Sequence, residues 1–187
     1  RGFEDRCEAR EMADETMRSL YDGVRIDEIE KAMIFASKSR IEQDPAYGYV
    51  TARLLLDVIY GETLPGYEHY HDTTVAHTTR FRAYLEEGIA AGRLAPELLD
   101  YDLEKIAAAL KPDRDLLFNY MGLQTIYDRY LIHIGGRRLE APQFFWMRVC
   151  LGLAMNEGAQ KNERAIEFYE LLSTFLFTSS TPTLFNS

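Results

Sequence analysis

Apolar residues return every three or four positions along almost the whole of this 187-residue chain, and that spacing fits one buried face of an α-helix and little else. Met12, Ala13, Met17 and Leu20 mark a first helix that closes near Gly23. Ile26, Ile29, Met33 and Ala36 mark a second, with Asp27, Glu28 and Glu30 at its start, where carboxylates meet the positive end of the helix dipole. After Pro45, residues Tyr49, Ala52, Leu55, Leu56 and Ile59 predict a third helix stopping at Gly61. Phe81, Leu85 and Ile89 predict a helix ended by Gly92; Leu103, Ile106, Ala107 and Leu110 predict one ended by Pro112; Leu123, Ile126, Tyr127 and Tyr130 form a further amphipathic stretch. Pro142 suits the first turn of a strongly apolar helix running from Phe144 to Met155. Asn162 reads as the cap of a last helix whose face is Ala165, Ile166, Tyr169, Leu172 and Leu176. One segment departs from the period. Tyr130–Ile134 and Arg137–Glu140 flank Gly135-Gly136, the signal of a tight hairpin. The fold class is mainly α with one β-hairpin.

The composition supplies the core such a fold needs, with 47% hydrophobic and 12% aromatic residues. A net charge of -9 repels phosphate backbones, so nucleic acid is not an expected partner. No apolar run approaches 18 residues and no signal peptide is visible, so neither a membrane partner nor export is expected, and the expected location is the cytoplasm. Cys7 and Cys150 form no C-x-x-C and suggest neither zinc nor a disulfide framework. The first residue is Arg1 rather than Met, which reads as a piece of a longer protein.

Few residues stand out chemically. His69, His71 and His77 with Asp72 contain ligand types for a transition metal, but the i, i+2 pair shares no helical face, and surface histidines in a tyrosine-rich connector explain them better. Asp113-Arg114-Asp115 reads as a structural ion network rather than an acid–base pair. Tyr120, Tyr127, Tyr130, Tyr169 and Trp146 read as core, and Cys150, between Val149 and Leu151, as a buried inert thiol. The segment Ser179–Ser187 is different. It is rich in hydroxyls around one proline, Pro182, and reads from composition either as a frayed polar end or as a loop able to bond a phosphate or a sugar hydroxyl.

From Asp113 onward the motifs fall into a familiar order: Asp113-Arg114-Asp115, Phe118-Asn119-Tyr120-Met121-Gly122, Tyr130-Leu131, Glu140-Ala141-Pro142-Gln143, Met147-Arg148-Val149, and finally Thr181-Pro182-Thr183-Leu184-Phe185-Asn186. In this the chain resembles the large (alpha) subunit of class I ribonucleotide reductase, N-terminal portion. Leu20-Tyr21-Asp22-Gly23-Val24 and Ala52-Arg53-Leu54 extend the resemblance into the first half. It implies a helical layer leading into an α/β barrel that this chain does not contain. Residues 1–60 would be partial or degenerate ATP-cone helices, and residues 61–187 the helical domain ending at the start of the catalytic barrel. It implies reduction of ribonucleoside diphosphates at the 2′ carbon through a cysteine thiyl radical, with no catalytic residue here, since neither Cys7 nor Cys150 matches the family's reactive cysteines. Thr181 is the implied substrate-binding residue. No cofactor or metal is implied for this chain. The whole enzyme implies ATP and dNTP effectors and a radical cofactor in a partner small subunit, besides the remainder of the large subunit and homo-oligomers of it. Ile26 stands where the family commonly has a nucleotide-contacting Thr, which predicts weak binding at the cone. A class II, cobalamin-dependent reductase and a non-catalytic helical regulatory or scaffold module are the alternatives.

Overall fold

The computed structural model describes residues 2–3, 5–67 and 73–186. In chain order the helices are α1 (Ala9–Ser19), α2 (Ile26–Lys38), α3 (Ala46–Thr63), α4 (Thr74–Ala90), α5 (Leu103–Ala108), α6 (Tyr120–Arg129), α7 (Pro142–Ala154), α8 (Lys161–Leu172) and α9 (Thr181–Asn186). Short 3-10 turns occupy Pro96–Asp100, Pro112–Leu117 and Gly158–Gln160. Between α6 and α7, β1 (His133–Ile134) and β2 (Arg137–Arg138) pair antiparallel, with His133 opposite Arg138 and Ile134 opposite Arg137. Gly135 and Gly136 take φ of 59° and 84°, the left-handed pair that a two-residue hairpin demands. The mainly α class with one hairpin stands as expected.

The chain divides into two compact units: Arg1–Val58 with Leu116–Thr125, and Ile59–Asp115 with Ile126–Ser187. The first unit gathers α1, α2 and most of α3 around a small core of Cys7, Ala46 and Tyr47, closed over by Phe3, Met12, Ile41 and Val50. Polar bonds do much of the joining. Arg40 reaches Glu11 at 2.7 Å and Glu15 at 3.2 Å, and the buried hydroxyls of Ser37 and Thr51 meet at 2.8 Å. At the start of α2 the Glu28 carboxylate accepts the Arg25 backbone N–H at 3.0 Å, so the acidic first turn closes one orphan donor. The apolar stripes expected here are only partly inward. Ala36 is buried, but Met17, Ile26 and Met33 face solvent, and the residue that α1 buries is Thr16. Thr16 tolerates this because its hydroxyl donates to the Met12 carbonyl at 2.8 Å.

In the second unit α7 is the centre. Its residues from Pro142 to Leu151 are all buried, so the helix is enclosed on every side. The ring of Phe144 stacks on Tyr84 at 4.9 Å and meets Phe81 edge-on at 5.5 Å, locking α7 to α4. Gly88 of α4 is needed for another reason: a Cβ there would collide with the Leu94 side chain at Cδ1. Its absence lets the turn after α4 lie flat on the helix.

Three expected boundaries move, one of them the end of α8, which closes at Leu172 and leaves Leu176 outside the helix and exposed. Helix α3 runs through Gly61 to Thr63, because Leu64 N still donates to the Tyr60 carbonyl at 2.8 Å and Thr63 Oγ1 to that of Ile59 at 2.8 Å. Asn162 does not cap α8, which starts one residue earlier; its Oδ1 accepts the Asp102 backbone N–H at 2.9 Å, at the start of α5. Helix α8 closes without glycine: Phe175 takes φ 59° while Leu176 N returns to the Leu171 carbonyl at 3.1 Å.

Candidate functional site

Segment 177–186 carries the one residue singled out for substrate contact. Residues from Thr181 fold into α9 rather than a loop. Pro182 presets the helical φ within the first turn, and Leu184 N donates to the Ser180 carbonyl at 3.2 Å. Leu184 is buried and anchors this turn, leaving Thr181 exposed. Thr181 Oγ1 lies 3.1 Å from the Tyr130 hydroxyl, at the end of α6. Tyr130 is held in turn by Phe145 of α7, 6.0 Å between centroids, and packs on Phe185 of α9 at 4.9 Å. The aromatic clamp fixes the helical turn, and the hydroxyl pair fixes Thr181. One hydroxyl of that pair donates and the other accepts, so a second hydrogen-bonding position on Thr181 faces solvent.

Behind this surface lie two buried polar networks. Glu140 takes the Arg148 guanidinium at 2.7 Å, the Tyr84 hydroxyl at 2.5 Å and the Ile132 backbone N–H at 3.0 Å. Burial works against the Arg148 charge, yet the Glu140 carboxylate and Tyr84 raise its pKa above the ordinary arginine value. Burial also pushes the Tyr84 phenol well up, helped by Glu140. In the second network Asp115 accepts from Tyr60 at 2.5 Å and from Gln143 Nε2 at 2.6 Å, while the Tyr169 hydroxyl donates to Gln143 Oε1 and accepts from Lys111 N at 2.8 Å. Burial lifts the Asp115 carboxyl to about 7, against the lowering effect of its two donors. Its neighbour Arg114 bonds Ser173 at 2.7 Å and Glu170 at 2.5 Å. The Asp113-Arg114-Asp115 stretch is thus a clasp from the Pro112–Leu117 turn to α7 and α8.

The remaining candidates separate. His77 is fully buried between Tyr60 and Phe144, its Nδ1 2.9 Å from the Thr73 carbonyl and its Nε2 without a hydrogen-bond partner among the described residues. Burial drops its pKa to about 4. It is therefore a neutral core histidine; His69, His71 and Asp72 lie outside the described residues. Among the described residues no group of three His, Cys, Asp or Glu side chains is placed to hold a metal ion. Tyr120 and Tyr169 are core, whereas Tyr127 and Tyr130 are half-buried and hydrogen-bonded, Tyr127 to Glu62 at 3.0 Å. Cys7 and Cys150 are both buried free thiols, and burial raises both pKa values. No described helix is long and apolar enough to cross a membrane. Sequence reasoning missed Tyr130 as the partner of Thr181; its place in the Tyr130-Leu131 motif was the available signal.

Known proteins give this geometry its context. Residues 116–187 match the family described as "Ribonucleotide reductase, all-alpha domain". The ribonucleoside-diphosphate reductase subunit alpha of Chlamydia pneumoniae is 45% identical over 185 residues, covering 99% of this chain and 18% of that protein. The same subunit of Helicobacter pylori (strain ATCC 700392 / 26695) is 34% identical over 171 residues, covering 89% of this chain and 20% of that protein. The large subunit of Danio rerio is 28% identical, covering 91% of this chain and 21% of that protein. The chain thus spans about a fifth of the length of the curated relatives it matches. With an all-alpha domain match inside it and relatives along nearly its whole length, the chain belongs to the ribonucleotide reductase large-subunit family, of which it is an N-terminal portion.

Proposed function

We propose that this chain serves a cytoplasmic ribonucleoside-diphosphate reductase, which makes deoxyribonucleotides for DNA synthesis, and that Thr181 contacts the ribonucleoside diphosphate. The observation that carries the reading is the similarity to subunit alpha over 99% of the chain. Thr181 suits the role because a short hydroxyl held by Tyr130 offers substrate one further hydrogen bond at a fixed point. The chemistry itself belongs to the remainder of the large subunit. Thiyl-radical reduction needs a thiol against the ribose, and the two thiols here are buried and protonated. The further partners are a small subunit bearing the radical cofactor and other copies of the large subunit. ATP and dNTP are the effectors, and residues 1–60 are cone-like helices that bind dATP weakly, because the exposed Ile26 side chain offers no hydrogen bond.

The test is diphosphate reduction by the assembled large and small subunits carrying Thr181→Val. Losing the hydroxyl removes roughly 1–3 kcal/mol of transition-state binding, so kcat/KM falls by about 5- to 150-fold with unchanged thermal stability. Unaltered kinetics would remove Thr181 from the substrate site.

A further inference from the structure

We infer that the second unit carries an anion-binding cleft, beside the proposed Thr181 contact, that takes a phosphate-bearing ligand with an apolar or aromatic body. The cleft encloses about 590 Å³ and is framed by the turn after α4, the end of α6, β1, α7 and Phe185 of α9. Arg93, Arg129, His133 and Arg148 line it, and among the described residues no Asp or Glu does. That is a marked local reversal in a chain of net charge -9.

Its cations are of two kinds. Arg148 is buried and already bound to Glu140 at 2.7 Å, so it contributes a fixed wall rather than a free charge. Arg93 and Arg129 are exposed, and among the described residues neither guanidinium has a carboxylate partner, a hydrogen bond or an ion pair. They line the cleft from different elements, and the exposed His133 lines it with them. One carboxylate satisfies one guanidinium fork, whereas a phosphate offers charge and oxygens in several directions and suits two forks at once. Most of the remaining lining is apolar: Leu94, Leu98, Leu131, Ile132, Met155 and the ring of Phe185. A bare inorganic ion leaves those walls unused, while a phosphate on an aromatic body covers them.

Tyr130 belongs both to this cleft and to the hydroxyl pair with Thr181, so a ligand here lies one side chain away from the proposed substrate contact. The inference nevertheless needs no reductase chemistry, and its test is binding alone. Phenyl phosphate, phenol and inorganic phosphate are titrated into this chain by calorimetry, with chemical-shift mapping of the cleft residues. Phenyl phosphate should bind more tightly than either fragment, and Arg93→Gln/Arg129→Gln should weaken it by about tenfold or more, while Arg82→Gln on the exposed part of α4 leaves it unchanged. Both arginines are exposed, and circular dichroism checks that the double variant is folded; if it is not, each single variant should weaken binding at least about threefold. Equal binding by wild type and variants, or no saturable phenyl phosphate binding to about 10 mM, overturns the cleft assignment. Neither result bears on the Thr181 kinetics.

Discussion

Arg148 and Glu140 form an ion pair withdrawn from solvent, 2.7 Å between Nε and Oε1 with side chains 3% and 0% exposed. Removing one partner leaves a buried charge uncompensated. Arg148→Met should therefore lower unfolding free energy by about 3–5 kcal/mol. The double variant Arg148→Met/Glu140→Gln should be more stable than Arg148→Met, because the introduced amide keeps an acceptor for Tyr84 or Ile132 without the charge. Urea titration of wild type, Arg148→Met, Glu140→Gln and the double variant gives the coupling directly; additive losses would contradict it.

His77 should make the protein acid-sensitive. Its folded pKa of about 4 lies below the ordinary 6.5, so the folded state binds fewer protons in that interval. The stabilisation is full above pH 6.5 and is lost as pH falls through 4, amounting to about 3 kcal/mol. In His77→Phe this component of the pH dependence disappears. Denaturation midpoints at pH 7, 5.5 and 4 test it.

Asp115 acts with the opposite sign. Its folded pKa of about 7 lies above the ordinary 3.8, so its contribution is full below pH 3.8 and lost as pH rises through 7. Asp115→Asn carries a constant offset, since the amide gives Tyr60 and Gln143 one acceptor rather than two. The diagnostic is the slope: relative to wild type the variant should gain about 3 kcal/mol between pH 4 and pH 7. A pH-independent difference would place the ionisation elsewhere.

Cys150 should be silent until the protein unfolds. It is fully buried in α7 and its thiolate is disfavoured by burial. Ellman's reagent should label it at least about a hundredfold more slowly in buffer than in urea, in a Cys7→Ser background. Comparable rates would show that α7 opens in the native state.

The sequence made the helices legible because their signals are local. The i, i+3, i+4 faces of α4 and α8, Pro142 at the head of α7 and Gly135-Gly136 in the hairpin each report on their nearest neighbours. What escaped was long-range. Asp115 meets Tyr60, and Glu140 meets Tyr84, across more than fifty residues of chain, and no periodicity encodes such a partner. Ile26 and Met17 fit an apolar stripe yet are exposed, since α1 and α2 bury little and are tied by Arg40 to Glu11 and Glu15. At the candidate site Thr181 and its motif were readable, but the Tyr130 hydroxyl beside it and the helical form of residues 181–186 needed coordinates.

Residues 116–125 belong to the compact unit that begins the chain, although the family's all-alpha domain match starts at 116. Neither unit is therefore an uninterrupted stretch, and gene-level cuts at residue 58 or 116 would each divide a folding unit. A version starting at residue 59 would keep Tyr120 and Leu123 but lose α1, α2 and most of α3, exposing side chains that are 6% and 0% accessible in the whole chain. Any attempt to transplant or excise this region has to carry both halves together, and its sequence limits are poor guides to what can be separated.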